Sequence, residues 1–134
     1  MSEDTRIHIG SDKDVVTARQ LGREVALRSG FSVSEAALIA TAISELARNI
    51  VTYAREGSVT LMPAQGVNGS KGLTIVVADS GPGIADVTQA LRDGYSSSGG
   101  LGLGLPGVRR LMDEFDIASQ VGIGTTVTVT KWRA

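Results

Sequence analysis

Six residues, Leu73-Thr74-Ile75-Val76-Val77-Ala78, are almost uniformly apolar and run straight into Asp79. A short apolar run that is rich in β-branched side chains and does not alternate is the pattern of a strand buried on both faces. Such a strand lies inside a sheet, flanked by other strands and covered by further elements. The next residues, Asp79-Ser80-Gly81-Pro82-Gly83, are a dense turn signal that ends the strand and leaves a carboxylate at its tip.

The rest of the chain supplies the partners. Residues 6–9 alternate polar and apolar and read as a short first strand. Ser11, with Asp14 three residues on, is a capping-box start for a helix that Gly30 stops; Val15, Ala18, Leu21, Val25 and Ala26 fall at helical spacing. A second helix opens at Ser32, again with an acid (Glu35) three residues later. It runs to about Ala54, with an apolar stripe of Ile39, Ile43, Leu46 and Ile50. Residues 59–62 form a strand joined to the central run by the Gly/Asn/Ser-rich stretch 64–72. Residues 86–92 fit a short helix and 93–105 a Gly/Ser-rich loop. Pro106 suits the first position of a third helix carrying Val108, Leu111, Met112 and Phe115 on one face. Residues 117–119, the turn Gly122-Ile123-Gly124 and an alternating strand over 125–132 close the chain. The pattern is α+β: a two-layer arrangement of a mixed, largely antiparallel sheet with about three helices on one face.

Composition narrows the function. At 134 residues one domain, 1–134, is expected. Thirteen Lys+Arg against fourteen Asp+Glu leave no basic excess to neutralise a run of phosphates, so no nucleic-acid partner is expected. The absence of cysteine excludes disulfides, thiolate metal sites and a thiol nucleophile. The polar opening Met1-Ser2-Glu3-Asp4 does not read as a signal peptide, and the apolar runs fall far below the ~18 residues of a membrane span. A cytoplasmic protein without a membrane partner is the expectation.

Three places carry chemistry. Glu45 and Asn49 lie four apart on the second helix, one above the other, with Thr41, Arg48 and Thr52 near that line. A carboxylate and an amide so placed suit a base and a hard-cation ligand, and Mg²⁺ takes oxygen ligands, few of them from protein. Asp79, at a strand tip, offers acceptors only, which fits an exocyclic amino group of adenine and not the carbonyl oxygen of guanine. The run Gly99-Gly100-Leu101-Gly102-Leu103-Gly104-Leu105-Pro106-Gly107 brings backbone N–H groups and a helix start together, the chemistry of a phosphate cradle. Gly102, Gly104 and Gly107 match the dinucleotide fingerprint, but Tyr95-Ser96-Ser97-Ser98 precedes them where a strand is required. The last acid in the chain is Asp116, so the ribose-binding acid is missing as well. No Walker-type phosphate loop exists. Gly124-Thr125 opens the last strand, where a threonine hydroxyl can face a base. His8 is alone and supports no metal site.

The order Glu45-x-x-x-Asn49, Asp79-x-Gly81-x-Gly83, Gly100-x-Gly102-x-Gly104, Gly124-Thr125 resembles the nucleotide site of the gyrase, heat-shock-chaperone, histidine-kinase and mismatch-repair (GHKL) ATPase superfamily. Length favours its small anti-sigma and switch-kinase branch. The stretches Ile43-Ser44-Glu45-Leu46-Ala47-Arg48-Asn49-Ile50, Gly94-Tyr95-Ser96-Ser97-Ser98-Gly99-Gly100 and Leu105-Pro106-Gly107-Val108-Arg109-Arg110 look very like stressosome switch serine/threonine kinases.

The resemblance implies a Bergerat-type fold and a kinase that uses ATP and Mg²⁺ to phosphorylate STAS-domain partners, then binds and activates a PP2C-type phosphatase. It implies Glu45 as catalytic base and Asn49 as Mg²⁺ ligand. Asp79, Gly81 and Gly83 would hold adenine; Gly100, Leu101, Gly102, Leu103 and Gly104 would form the phosphate loop within a lid over 93–105; Thr125 would sit near the base. The lid carries no Lys or Arg, so Arg48 and Arg109 are the candidate phosphate contacts. An anti-sigma factor that sequesters a sigma subunit with ATP bound is the alternative, because the same boxes serve both. Arg19 and Arg23 read as a solvated basic face of the first helix, with a partner surface as the alternative.

Overall fold

The computed structural model describes residues 4–84 and 104–133. Five strands, β1 (Thr5–Ile9), β2 (Gly57–Gln65), β3 (Lys71–Asp79), β4 (Glu114–Gln120) and β5 (Gly124–Trp132), form one sheet in the order β1-β2-β3-β5-β4. Every described pairing is antiparallel. Helices α1 (Asp12–Arg28), α2 (Val33–Asn49) and α3 (Gly104–Leu111) make the second layer, and a π-helical turn, Ile50–Ala54, extends α2. This is the expected α+β sandwich. The core lies between the layers: Val15, Ala18, Ile39, Ile43 and Leu46 from the helices meet Ile7, Val59, Leu61, Ile75, Val77, Val127 and Val129 from the sheet.

The start of α2 forms as its sequence dictates. The Ser32 hydroxyl accepts from the Glu35 N–H at 3.1 Å, and the Glu35 carboxylate accepts from the Ser32 N–H at 3.2 Å. Such a box satisfies two of the four N–H groups that a helix start leaves unpaired. The start of α1 differs from expectation. Ser11 occupies the capping position but its side chain makes no capping bond, and Asp14 reaches back one residue further to accept from the Gly10 N–H at 2.8 Å.

The central strand also departs from its reading. Leu73, Ile75 and Val77 are buried, while Thr74, Val76 and Ala78 are only half-buried. All the described helices cover the same face of β3, and no described element covers the other. Composition alone suggested two covered faces because Val and Ala serve equally well on a face shielded by neighbouring threonines. Pro63 sits in β2 beyond the point where β1 ends (Thr5 faces Leu61), so its missing N–H leaves no gap in the β1–β2 ladder.

The third helix begins at Gly104, two residues before Pro106, so the proline stays in the first turn where its missing N–H is harmless. Phe115 does not continue this helix. The Asp113 N–H donates to the Thr130 carbonyl at 3.0 Å, which hands the chain to the sheet, and Phe115 and Ile117 pack inward from β4 at strand spacing. The expected helix over 86–92 lies outside the described residues.

Candidate functional site

The site is built where β3 stops. In register, Asp79 faces Gly57 on β2 and Thr125 on β5. One carboxylate oxygen, Oδ1, accepts from the Gly81 N–H at 2.8 Å and from the Thr125 N–H at 3.3 Å. Among the described residues no donor reaches Oδ2, which is therefore the oxygen left for an outside donor.

The loop that follows is tied to the β4–β5 hairpin twice more. The Gly122 N–H donates to the Pro82 carbonyl at 2.9 Å, and the Ile84 N–H donates to the Ser119 hydroxyl at 2.7 Å. Ser119 also meets the Thr125 hydroxyl at 2.8 Å. The glycines are required by close packing. A Cβ on Gly81 would come within 2.5 Å of the Ala54 Cβ, and Gly83 has φ +78° with the Gln120 backbone against it. Gly124, φ +148°, lies on the Asp79 backbone, so nothing larger fits between strand tip and hairpin.

The second part of the site stands on α2. Glu45 is 2% exposed, and its Oε2 accepts from the Arg48 guanidinium at 3.0 Å; the Arg48 side chain is 34% exposed. Oε1 has no hydrogen-bond partner among the described residues. Arg48, a candidate phosphate contact from sequence, thus also donates to Glu45, while Arg109 is exposed on α3. Asn49, half-buried, ends α2.

Beyond Asn49 the helix widens into the π turn, closed by the Arg55 N–H on the Ile50 carbonyl at 2.7 Å. Arg55 there takes φ +73°, a strained value for a residue with a side chain. The turn delivers Ala54 onto Gly81. The helix that carries Glu45 and Asn49 and the loop that carries Asp79 are therefore in contact one turn past Asn49.

Gly104 is buried at the start of α3, with φ +55°, and α3 packs on α2. The structure therefore brings Asp79, Gly81, Gly83 and Thr125 together at one strand tip, in contact through Ala54 with the turn that follows Asn49, while Gly104 opens a helix that packs on the helix of Glu45. Gly100, Leu101, Gly102 and Leu103 lie outside the described residues. No described group of three or more His, Asp or Glu side chains is placed to hold a metal ion by itself. His8 is exposed and pairs with Glu56 at 3.2 Å.

Sequence reasoning missed Ser119 and the π turn. A serine at alternating spacing in an edge strand carries no local signal, and its role follows only from the β4–β5 register that sets it opposite Thr125.

A strand-tip acid fixed by backbone N–H groups, a buried Glu four residues before an Asn, and a glycine-led helix beside them define an ATP-binding domain of the GHKL type. Residues 11–131 match the family described as histidine kinase-like ATPase domain, and the chain belongs to it. Over 132 residues it is 49% identical to the serine/threonine-protein kinase RsbT of Bacillus subtilis, covering 98% of both chains. It is 31% identical over 104 residues to the anti-sigma F factor of Caldanaerobacter subterraneus, covering 75% of this chain and 73% of that one. In fold it is similar to the RsbU and RsbW domains of a Mycobacterium tuberculosis protein, at a TM-score of 0.63 and 23% identity, over 97% of this chain and 33% of that chain. The chain is a kinase of this ATPase family. No described helix is long and apolar enough to cross a membrane.

Proposed function

We propose that this kinase phosphorylates a serine or threonine hydroxyl on a STAS-domain partner and, once released, binds and activates a PP2C-type phosphatase. Support comes from the 49% identity to a serine/threonine-protein kinase and from the lid and helix sequences that resemble switch kinases. The observation that carries the reading is the contact between Ala54 and Gly81, which joins the helix bearing the candidate base to the loop bearing the candidate adenine acceptor.

In this reading Asp79 accepts at Oδ2 from the adenine amino group while its Oδ1 stays on the backbone. Gly81 and Gly83 leave the base open to the main chain, and Thr125 stands beside it. Glu45 takes the proton of the partner's hydroxyl at Oε1, its Oε2 remaining with Arg48. Asn49 holds an amide oxygen for Mg²⁺, an ion that commonly takes only one or two protein ligands. The backbone N–H groups of Gly100, Gly102 and Gly104 cradle the phosphates, with Leu101 and Leu103 between them. Mg-ATP, when bound, supplies the phosphoryl group, and the ion offsets charge across the phosphates.

The test is phosphotransfer from γ-labelled Mg-ATP to a STAS-domain protein, followed by mapping of the labelled residue. Label on a serine or threonine is the expected result. The 31% identity to an anti-sigma F factor keeps a second reading in play. A stable ATP-dependent complex with a sigma subunit, and no label on any STAS protein, would select it.

A further inference from the structure

A cavity of about 430 Å³ opens at the end of the sheet away from Asp79. Gln65, Val67, Asn68 and Ser70 from the end of β2 and the turn after it line the cavity, with Glu114 of β4 and Trp132 of β5. These parts are fixed before anything enters. The Gly66 N–H donates to the Ser70 carbonyl at 2.8 Å, and Gly69 takes φ +78° to close the turn. Trp132 is tied at two points: its backbone N–H donates to Asp113 Oδ2 at 2.7 Å and its indole Nε1–H to Glu114 Oε2 at 2.7 Å. The indole lies over Gly72, its cross-strand neighbour on β3, where a Cβ would stand 2.7 Å from ring atom Cε3. Gly72 therefore makes room for the ring.

The lining has one electrostatic sign. Glu114 is exposed, and its Oε1 has no partner among the described residues. Gln65 and Asn68 add amide oxygens and Ser70 a hydroxyl, and no Lys, Arg or His lines the cavity. A single carboxylate beside an aromatic ring suits an organic cation; no described group of three His, Asp or Glu side chains is placed to hold a metal ion.

We propose that this cavity takes the guanidinium of an arginine side chain presented by a partner protein. A guanidinium is planar, always charged, and carries five N–H donors and no acceptor, so it matches oxygens set around an aromatic ring. Stacked on the indole, it is attracted by the ring quadrupole and donates from its edge to Glu114. A lysine ammonium is a more strongly hydrated point charge and gains less from a flat ring. A side chain suits the cavity better than free arginine, because nothing basic is there to take an α-carboxylate. The volume falls within the ~300–1,000 Å³ of ligand sites. The length of β3 puts about 25 Å between the cavity and Asp79, so a partner can be held here without covering the nucleotide site.

Trp132 is the only tryptophan in the chain, so its indole N–H gives a single resonance. The experiment is a titration of the isotope-labelled full chain with Nα-acetyl-arginine amide at constant ionic strength, read in amide correlation spectra. The indole and the backbone amides of 66–70 should shift together and saturate, with a Kd on the order of 1–10 mM for one stacked cation. Nα-acetyl-citrulline amide, the neutral isostere, should bind roughly tenfold more weakly, and the blocked lysine more weakly than the blocked arginine. Glu114→Gln keeps an oxygen for the indole N–H and removes the charge. Its affinity should fall roughly fivefold, while its spectrum without ligand stays close to wild type and so reports an intact fold. Shifts that do not saturate overturn the proposal, as does equal binding of the citrulline or lysine analogue, or a Glu114→Gln chain that binds like wild type. Free arginine that binds roughly tenfold more tightly than the blocked form would give the cavity to a small metabolite and overturn the protein partner.

Discussion

Asp79 and Glu45 are carboxylates at opposite ends of the candidate site, and they are held by different means. Asp79 is fixed by two backbone N–H groups, and its loop is tied to the β4–β5 hairpin by two further hydrogen bonds. Glu45 is held by a single side chain, Arg48, that is itself one-third exposed. Backbone donors lose no rotamer freedom when they bond, whereas ordering an arginine costs up to about 2 kcal/mol of side-chain entropy. The first end is preorganised and the second adjustable. In the proposed reading a purine presents the same edge to Asp79 throughout turnover, but Glu45 must meet a partner protein that comes and goes. Rigidity is spent where the ligand is constant.

If the two ends are separable, each can be broken without the other. The largest effect is expected for Glu45→Gln. The substitution keeps the shape and an oxygen for Arg48, and removes the proton acceptor. Transfer to the partner should fall roughly 10²- to 10⁴-fold, the usual contribution of a general base, with ATP affinity unchanged. Single-turnover transfer and equilibrium nucleotide binding measured on one preparation would separate the two. Undiminished transfer would remove Glu45 as the base.

Asp79→Asn should give the opposite split. An asparagine can keep Oδ1 on the Gly81 and Thr125 N–H groups, but it offers an amide donor where Oδ2 was an acceptor. ATP affinity should drop roughly ten- to a hundredfold, since a hydrogen bond to a charged group contributes about 1.5–3 kcal/mol. Transfer at saturating ATP should stay close to wild type. Calorimetric titration with ATP checks the first expectation, and normal binding would take adenine away from Asp79.

Local patterns were legible in the sequence; features that arise from register were not. The Ser32–Glu35 box forms as written because both partners lie within one helical turn. Asp79 at a strand tip was readable because an apolar run and a Gly-Pro-Gly turn bracket it. The pair Glu45 and Asn49 was readable from helical spacing alone. Phe115 misled because it sits four residues after Leu111, a spacing that suits a helix as well as it suits a break followed by a strand. The second face of β3 misled because an apolar run records what a strand tolerates and not what covers it. The π turn has no side-chain signature, yet it sets Ala54 on Gly81 and so joins the two ends of the site.

Ser119 makes the finest test of the contrast, because it belongs to the rigid end without touching the proposed ligand acceptor. Its hydroxyl accepts from the Ile84 N–H at 2.7 Å, meets Thr125 Oγ1 at 2.8 Å and donates to the Gly124 carbonyl at 3.3 Å. Ser119→Ala leaves a half-buried N–H without its acceptor, a loss of about 1–3 kcal/mol, and deletes one of the ties that hold the 79–84 loop. Chemical denaturation should report that loss as a lower midpoint with an unchanged slope. ATP affinity should fall only slightly, by roughly threefold or less, because both N–H donors to Asp79 Oδ1 come from the backbone and remain in place. A loss of affinity as large as that of Asp79→Asn would mean that the hairpin and not the backbone pair fixes the carboxylate, and the rigid end would then depend on side chains just as the Glu45 end does.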